Sequence, residues 1–389
     1  MDMPERKNKK IYLEVLRALA IIFVVFNHTR QNGYVYFTLY EAGTFRYWFY
    51  MVFSVIAGIS VPLFYMISGT VLLGKTESVG YVWKKRISKY AVVLLVFSLI
   101  IYVLGNYYSG ALSVTDFLKR TYSEGVIVPY WFLYSYIGFL IGLPVFRKAV
   151  INMTDQEFKY LFGIWIVYNS LIFILQYRFS GGTLRMNELL IPASLTNILF
   201  FYPAIGYYLG ARLEKVTTQM CIVSLIFATA SVAVIMYMTD YKISLTGDLN
   251  ESSVSYFYDC CRPFQVVCIF VCVRKLFENR KIPAFLEKVI LNLGSSVFGI
   301  YLIEEMGRDI LYSVFLKMCS VINGFAAVWI YVLAVFLLCW FCTASFRFLF
   351  AFSGESLFNG NRAVRFSDCL KCYNHYKRMV LGNNYGTDR

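Results

Sequence analysis

Apolar residues run through this chain in long unbroken stretches, not at amphipathic spacing. Residues 92–104, 160–175, 191–209 and 326–341 contain no Asp, Glu, Lys or Arg. About 20 such residues are enough to cross a bilayer. The pattern predicts about ten transmembrane helices, at 11–29, 48–73, 83–104, 126–144, 159–176, 189–209, 219–238, 257–273, 289–306 and 326–345. The expected fold class is therefore all-α, a polytopic transmembrane helix bundle. Pro62 and Gly69 in the second span, and Pro203 and Gly206 in the sixth, predict kinked or broken helices. Such breaks survive in a membrane where a neighbouring helix or a cavity satisfies the freed backbone groups.

Composition agrees with the pattern. Of the 389 residues, 59% are hydrophobic and only 15% charged, against about a quarter charged in soluble domains. A soluble enzyme, a disordered chain and a DNA-binding domain are excluded, because the polar faces they need cannot be built. The net charge of +14 would point to nucleic acid in a soluble protein. Here its distribution explains it. With the N-terminus in the cytoplasm, inner segments and inner mouths hold 26 of the 37 Lys and Arg, and outer ones 10. This positive-inside bias predicts that both termini are cytoplasmic. The N-terminal run resembles a signal peptide but contains Glu14 and Arg17 and lacks a small-residue cleavage site, so it is expected to be retained as a span. The chain divides into a transmembrane domain, 1–346, and a basic cytoplasmic tail, 347–389, suited to anionic inner-leaflet lipid. Within the tail, Cys369-x-x-Cys372-x-x-His375 is half a zinc pattern with no second half. No metal site is expected.

Candidate chemistry begins in the first span, YLEVLRALAIIFVVFNHTR, where Glu14, Arg17 and His28 interrupt an apolar helix. Ionisable groups inside a span are costly and usually face a protein interior or a wet cavity. Glu14 and Arg17, one turn apart, can pair. Arg17 and His28 are eleven positions apart, which returns them to nearly the same helix face with a rise of roughly 16 Å. Only one other histidine exists, His375 in the tail. On the residues alone, an intramembrane site and a plain interfacial salt bridge with a histidine anchor are both open. Further elements follow: Ser68-Gly69 in the second span, the basic run Lys84-Lys85-Arg86 with Lys89, Trp131 with Tyr134 and Tyr136 in the fourth, and Glu304, Glu305 and Arg308 in the ninth. Helix packing, positive-inside anchoring, an aromatic belt and surface solvation are the plain accounts of these.

In this order the elements resemble the acyltransferase-3 family of integral membrane acyltransferases, in particular its surface-polysaccharide O-acetyltransferase branch. The Arg17-x10-His28 spacing is similar to that of the family's first span, and Tyr65-Met66-Ile67-Ser68-Gly69 to its F-x-x-S-G element. The basic stretch 83–89, the W-F-L-Y…G…P element at 131–144 and Gly299-Ile300-Tyr301-Leu302-Ile303-Glu304 complete the likeness, with Glu304 where the family often carries His. The resemblance implies transfer of an acyl group, most often acetyl, from cytosolic acyl-CoA to a hydroxyl of a sugar or cell-envelope polysaccharide. It implies a multi-pass protein of the plasma (inner) membrane in contact with lipid, with no nucleic-acid partner. Acetyl-CoA would be a co-substrate, with no resident cofactor.

Under that resemblance His28 and Glu304 are the candidate catalytic pair. His28 would act as general base or as acyl-carrying nucleophile, and Glu304 would orient His28 or the acceptor hydroxyl. Arg17, Lys85 and Arg86 would bind the acyl donor, with Glu14, Ser68 and Trp131 in support. Because buried ionisable groups and broken helices also mark substrate paths, a transporter or flippase for an envelope glycan or small polar substrate is the alternative.

Overall fold

The computed structural model describes residues 11–107, 110–278, 280 and 282–352. The Cys369–Cys372–His375 pattern and most of the basic tail lie outside the described residues. Among the described residues every regular element is helical. The long helices are α1 (Ile11–Asn27), α2 (Phe45–Ala57), α3 (Ser60–Leu72), α4 (Ser88–Asn106), α5 (Trp131–Asn152), α6 (Asp155–Trp165), α7 (Ile198–Tyr207), α8 (Thr218–Thr246), α9 (Arg262–Phe277), α10 (Ala284–Cys319) and α11 (Gly324–Phe352). Many are rich in Val, Ile, Phe and Tyr, which are weak helix formers in water. In hydrocarbon the backbone has no solvent partner, so intrahelical bonding overrides side-chain propensity.

Seven helical segments are long and apolar enough to cross a membrane: Phe45–Leu72, Val79–Asn106, Val128–Asn152, Asp155–Ser180, Thr218–Thr246, Ala284–Cys319 and Gly324–Arg347. The remaining three predicted spans fold as shorter helices. α1 has 17 residues, α9 has 16, and α7 has 10 before it widens into a π-helical stretch at Tyr208–Arg212. At a rise of about 1.5 Å per residue, each falls short of the ~30 Å hydrocarbon core. Large apolar side chains such as Leu225, Ile226 and Phe227 of α8 lie on the outside of the bundle, as a lipid-facing helix requires.

Pro62 sets the α2–α3 kink. It has no N–H to offer and its ring crowds the preceding turn, and the helix breaks at Gly58-Ile59. At the break, Ala57 O accepts from Asn27 Nδ2 at 3.1 Å, and the same amide donates to Ser60 Oγ at 3.1 Å. α3 then packs on α7 with almost no side chain between them. A Cβ at Gly69 would lie 1.9 Å from Pro203 O, and one at Gly206 2.1 Å from Met66 O. Thr70 Oγ1 donates across this seam to Gly206 O at 2.7 Å. Small residues thus bring two backbones together where dispersion drives association. α1 packs against α10, α3 and α9. α1 and α10 run in the same direction, touching at Glu14 and Gly294 and again at His28 and Glu304.

The chain divides into two compact units, Met1–Trp340 and Phe341–Arg389. The division falls inside α11. All site residues described below belong to the first unit.

Candidate functional site

α1 ends at Asn27, and His28 follows in the turn, its N–H still bonded to Val24 O at 3.1 Å. Thr29 Oγ1 closes the turn by donating to Phe26 O at 2.6 Å and accepting from Tyr34 N at 3.2 Å. Arg30 then takes a left-handed backbone, φ 48°, which turns the chain away from the helix axis. His28 is thereby fixed at the carboxyl end of α1 with its imidazole against α10. Its Nδ1 lies 2.6 Å from Glu304 Oε1. Glu304 is completely buried (0% exposed), and 23% of the His28 side chain is accessible.

A buried carboxylate is tolerated only when its oxygens are satisfied. Oε1 of Glu304 meets His28, and Oε2 accepts from Arg308 Nε at 2.8 Å. Arg308 also donates to His28 O at 3.1 Å and to Glu305 Oε2 at 2.6 Å, and Tyr331 Oη holds the Arg308 carbonyl at 2.8 Å. Glu304 thus meets both His28 and Arg308, one oxygen each, where surface solvation was the plain account of it in the sequence. An ionised carboxylate only accepts, so in the His28 contact Nδ1 is the donor and Nε2 is the nitrogen not engaged by Glu304.

His28 lines a cavity of about 720 Å³, a size typical of small-molecule sites. Arg17, Ser68 and Trp131 line the same cavity, so it gathers residues from the first, second and fourth predicted spans. Tyr90, Tyr136, Phe132 and Phe298 make much of its wall aromatic, with Tyr90 edge-on to Tyr136 and Phe298 at ring separations of 4.9 and 5.3 Å. Arg17 is held by Glu14, Nη1 to Oε1 at 2.5 Å. Glu14 fits because α10 has glycine opposite it: a Cβ at Gly294 would lie 1.9 Å from Glu14 Oε2. That oxygen is buried without a hydrogen-bond partner among the described residues.

Lys85 and Arg86 do not line this cavity. Lys85 is exposed on a π-helical turn, Val82–Ile87. The Arg86 guanidinium is spent on Glu77, with Nε to Oε2 at 2.7 Å and Nη2 to Oε1. Arg147 joins them, donating to Glu77 Oε2 at 2.7 Å and to Leu72 O at 2.9 Å, which caps α3. Glu77 sits in the loop after α3. The Arg86 fork, with Arg147 adding, holds its carboxyl down to about 2 from the ordinary 4.5. Sequence reasoning missed Asn27, Asp259 and Arg262 as cavity residues. The available signal was an Asp and an Arg three positions apart at the mouth of an apolar run.

The acyltransferase-3 family model, described as an acyltransferase domain, matches residues 10–345. The chain belongs to that family and is a multi-pass membrane acyltransferase, which displaces the transporter reading. No curated protein and no solved structure matches the chain.

Proposed function

We propose that this membrane acyltransferase moves an acetyl group from acetyl-CoA to a hydroxyl of a sugar or cell-envelope polysaccharide, at the plasma membrane. The observation that carries the reading is the His28–Glu304 contact of 2.6 Å beside the cavity. With Nδ1 committed to Glu304, Nε2 takes the proton of the acceptor hydroxyl as its oxygen attacks the thioester carbonyl carbon. The carbon–sulfur bond breaks, and the CoA thiolate recovers a proton. The same Nε2 lone pair would serve if His28 itself carried the acyl group between two steps. Glu304 fixes the tautomer in either route, as a buried carboxylate does for a catalytic histidine elsewhere.

Arg17 supplies the cation for the donor, eleven residues and roughly 16 Å along α1 from His28, a distance of the order of an extended pantetheine arm. Lys85 serves the donor from outside the cavity, as a basic entrance, while Arg86 beside it stays bonded to Glu77. Trp131 and Ser68 shape the wall, and Glu14 steadies Arg17. The parallel course of α1 and α10 supports treating both as odd-numbered crossings in a ten-span bundle with cytoplasmic termini.

Mass spectrometry of envelope glycans from cells with and without the protein tests the reading. Loss of one 42-dalton acetyl increment per modified sugar is expected, roughly the mass that a single hydroxyl gains on acetylation, and His28→Ala should reproduce it, since removing a general base costs ~10²–10⁴ in rate. Glycans unchanged in both strains would refute it. Trapping an acyl adduct on His28 in an acid-quenched reaction would select the covalent route.

A further inference from the structure

Among the described residues Arg147 and Arg274 are buried in the helical bundle and Arg262 nearly so, and they differ in how their donors are used. Arg274 of α9 gives all three guanidinium nitrogens to Leu209 O, Leu213 O, Glu214 O and the Glu278 carboxylate. Arg147 is similarly committed to Leu72 O and Glu77. These two fasten helix ends. Arg262, three turns before Arg274 on the same helix, is 12% exposed and is paired with Asp259, with Nη1 to Oδ1 at 2.5 Å. Its Nε is buried with no hydrogen-bond partner among the described residues. A buried guanidinium with donors to spare is costly, and this one lines the cavity.

The backbone makes room for it. Arg262 lies against Gly58, in the α2–α3 break, where a Cβ would come within 2.4 Å of Nη2. The neighbouring carbonyl, Ala57 O, is the one that takes the Asn27 amide. Arg262 therefore stands at the depth of Asn27, the residue before His28. Asp259 and Glu251 line the cavity there as well. Arg30 lines the cavity with Glu251, opposite in sign, and Arg308 is already bonded to Glu304 and Glu305, so no surplus of cations is left there for the phosphates of CoA. A guanidinium already matched by Asp259 offers no net charge to an anionic sugar. A guanidinium–carboxylate pair does offer adjacent donors and acceptors, which suits neighbouring hydroxyls that each donate and accept.

We infer that Arg262, held by Asp259 and seated over Gly58, forms the acceptor subsite and binds a neutral polyol through adjacent hydroxyls. The inference rests on the acyl-transfer reading for the term acceptor, but the binding itself is measurable without turnover. The full chain in lipid nanodiscs is titrated with methyl β-D-glucoside and methyl β-D-glucuronide by saturation-transfer NMR. The glucoside should bind at least as well as the glucuronide. Arg262→Gln should weaken glucoside binding by about tenfold or more, the scale set by an unpaired polar group at a site built to bond a hydroxyl. Gly58→Ala should do the same by displacing the guanidinium. Its backbone, φ −61° and ψ −12°, is ordinary for alanine, so this variant keeps the test valid if Arg262→Gln misfolds. Absence of glucoside binding, preference for the glucuronide, or binding unchanged by Gly58→Ala overturns the inference. Release of CoA from acetyl-CoA, followed on the same samples, tests transfer separately. A polyol site sensitive to both variants in a protein that releases no CoA would leave the subsite standing and remove the reaction.

Discussion

Glu304→Gln separates an orienting carboxylate from a merely structural one. The substitution keeps the shape and replaces two acceptor oxygens by one acceptor and one donor. Glu304 now accepts from His28 Nδ1 and from Arg308 Nε, and the amide oxygen can face only one of them. Leaving a buried guanidinium donor without an acceptor costs more, because hydrogen bonds to charged groups contribute about 1.5–3 kcal/mol against 0.5–1.5 for neutral ones. The amide oxygen should therefore turn to Arg308 and its NH₂ to Nδ1. Nδ1 must then accept, which moves the imidazole proton to Nε2, where the lone pair is needed. The expected loss in kcat is ~10²–10⁴, equivalent to about 3–5 kcal/mol of barrier. Glu304 is fully buried and does not line the cavity, so KM for acyl-CoA should stay within about twofold, on the view that uniform binding is untouched. CoA release is followed with purified enzyme in nanodiscs, and thermal unfolding of the same preparation checks the fold. A kcat within about threefold of the parent, beside an unchanged melting profile, would refute the tautomer argument.

Three further outcomes are expected. Arg17→Gln should raise KM for acyl-CoA by about tenfold, the scale of one lost charged hydrogen bond, with acceptor KM unchanged; initial-rate kinetics in both substrates decide it. Gly69→Ala places a methyl 1.9 Å from the Pro203 carbonyl, where only backbone can yield. It should destabilise the α3–α7 seam by about 1–3 kcal/mol, read as a lower thermal midpoint, whereas full parental stability would mean the two helices are not so close. Glu77→Gln tests the loop ion cluster through pH. A carboxyl held at about 2 stabilises the fold fully above the unfolded value of about 4.3 and loses that contribution as pH falls through about 2. The parent should thus melt above Glu77→Gln at pH 6, with the gap narrowing on acidification below about pH 4.3.

The amino-acid sequence by itself determined the helical bundle and one stripe of the site. Runs such as 191–209 and 326–341 leave the backbone no choice in hydrocarbon but to bond within the segment. The span between Arg17 and His28 follows from helix geometry alone, so their shared face was legible as soon as the first span was. Pro62 likewise announced a break in the second span, though not that Asn27 would bond there. Helix length was less legible. Hydropathy does not report where a helix yields to a turn or a π-helical stretch, as α7 does at Tyr208.

Only the tertiary structure decided what meets what. His28 and Glu304 are 276 positions apart, and their contact depends on α10 lying along α1. That in turn depends on Gly294 leaving room for Glu14. The basic run showed its charges in the sequence but not their partners: Arg86 donates to Glu77, which Arg147 shares, so a cation expected at the donor site is tied up at a helix junction. The spacing of Asp259 and Arg262 showed a pair in the sequence, but the spare Arg262 donors become apparent only when Gly58, far earlier in the chain, gives it space beside the cavity. Pairings of this kind are set by packing between distant helices. Local spacing fixes the face a residue occupies, but the neighbour across that face belongs to the assembled bundle.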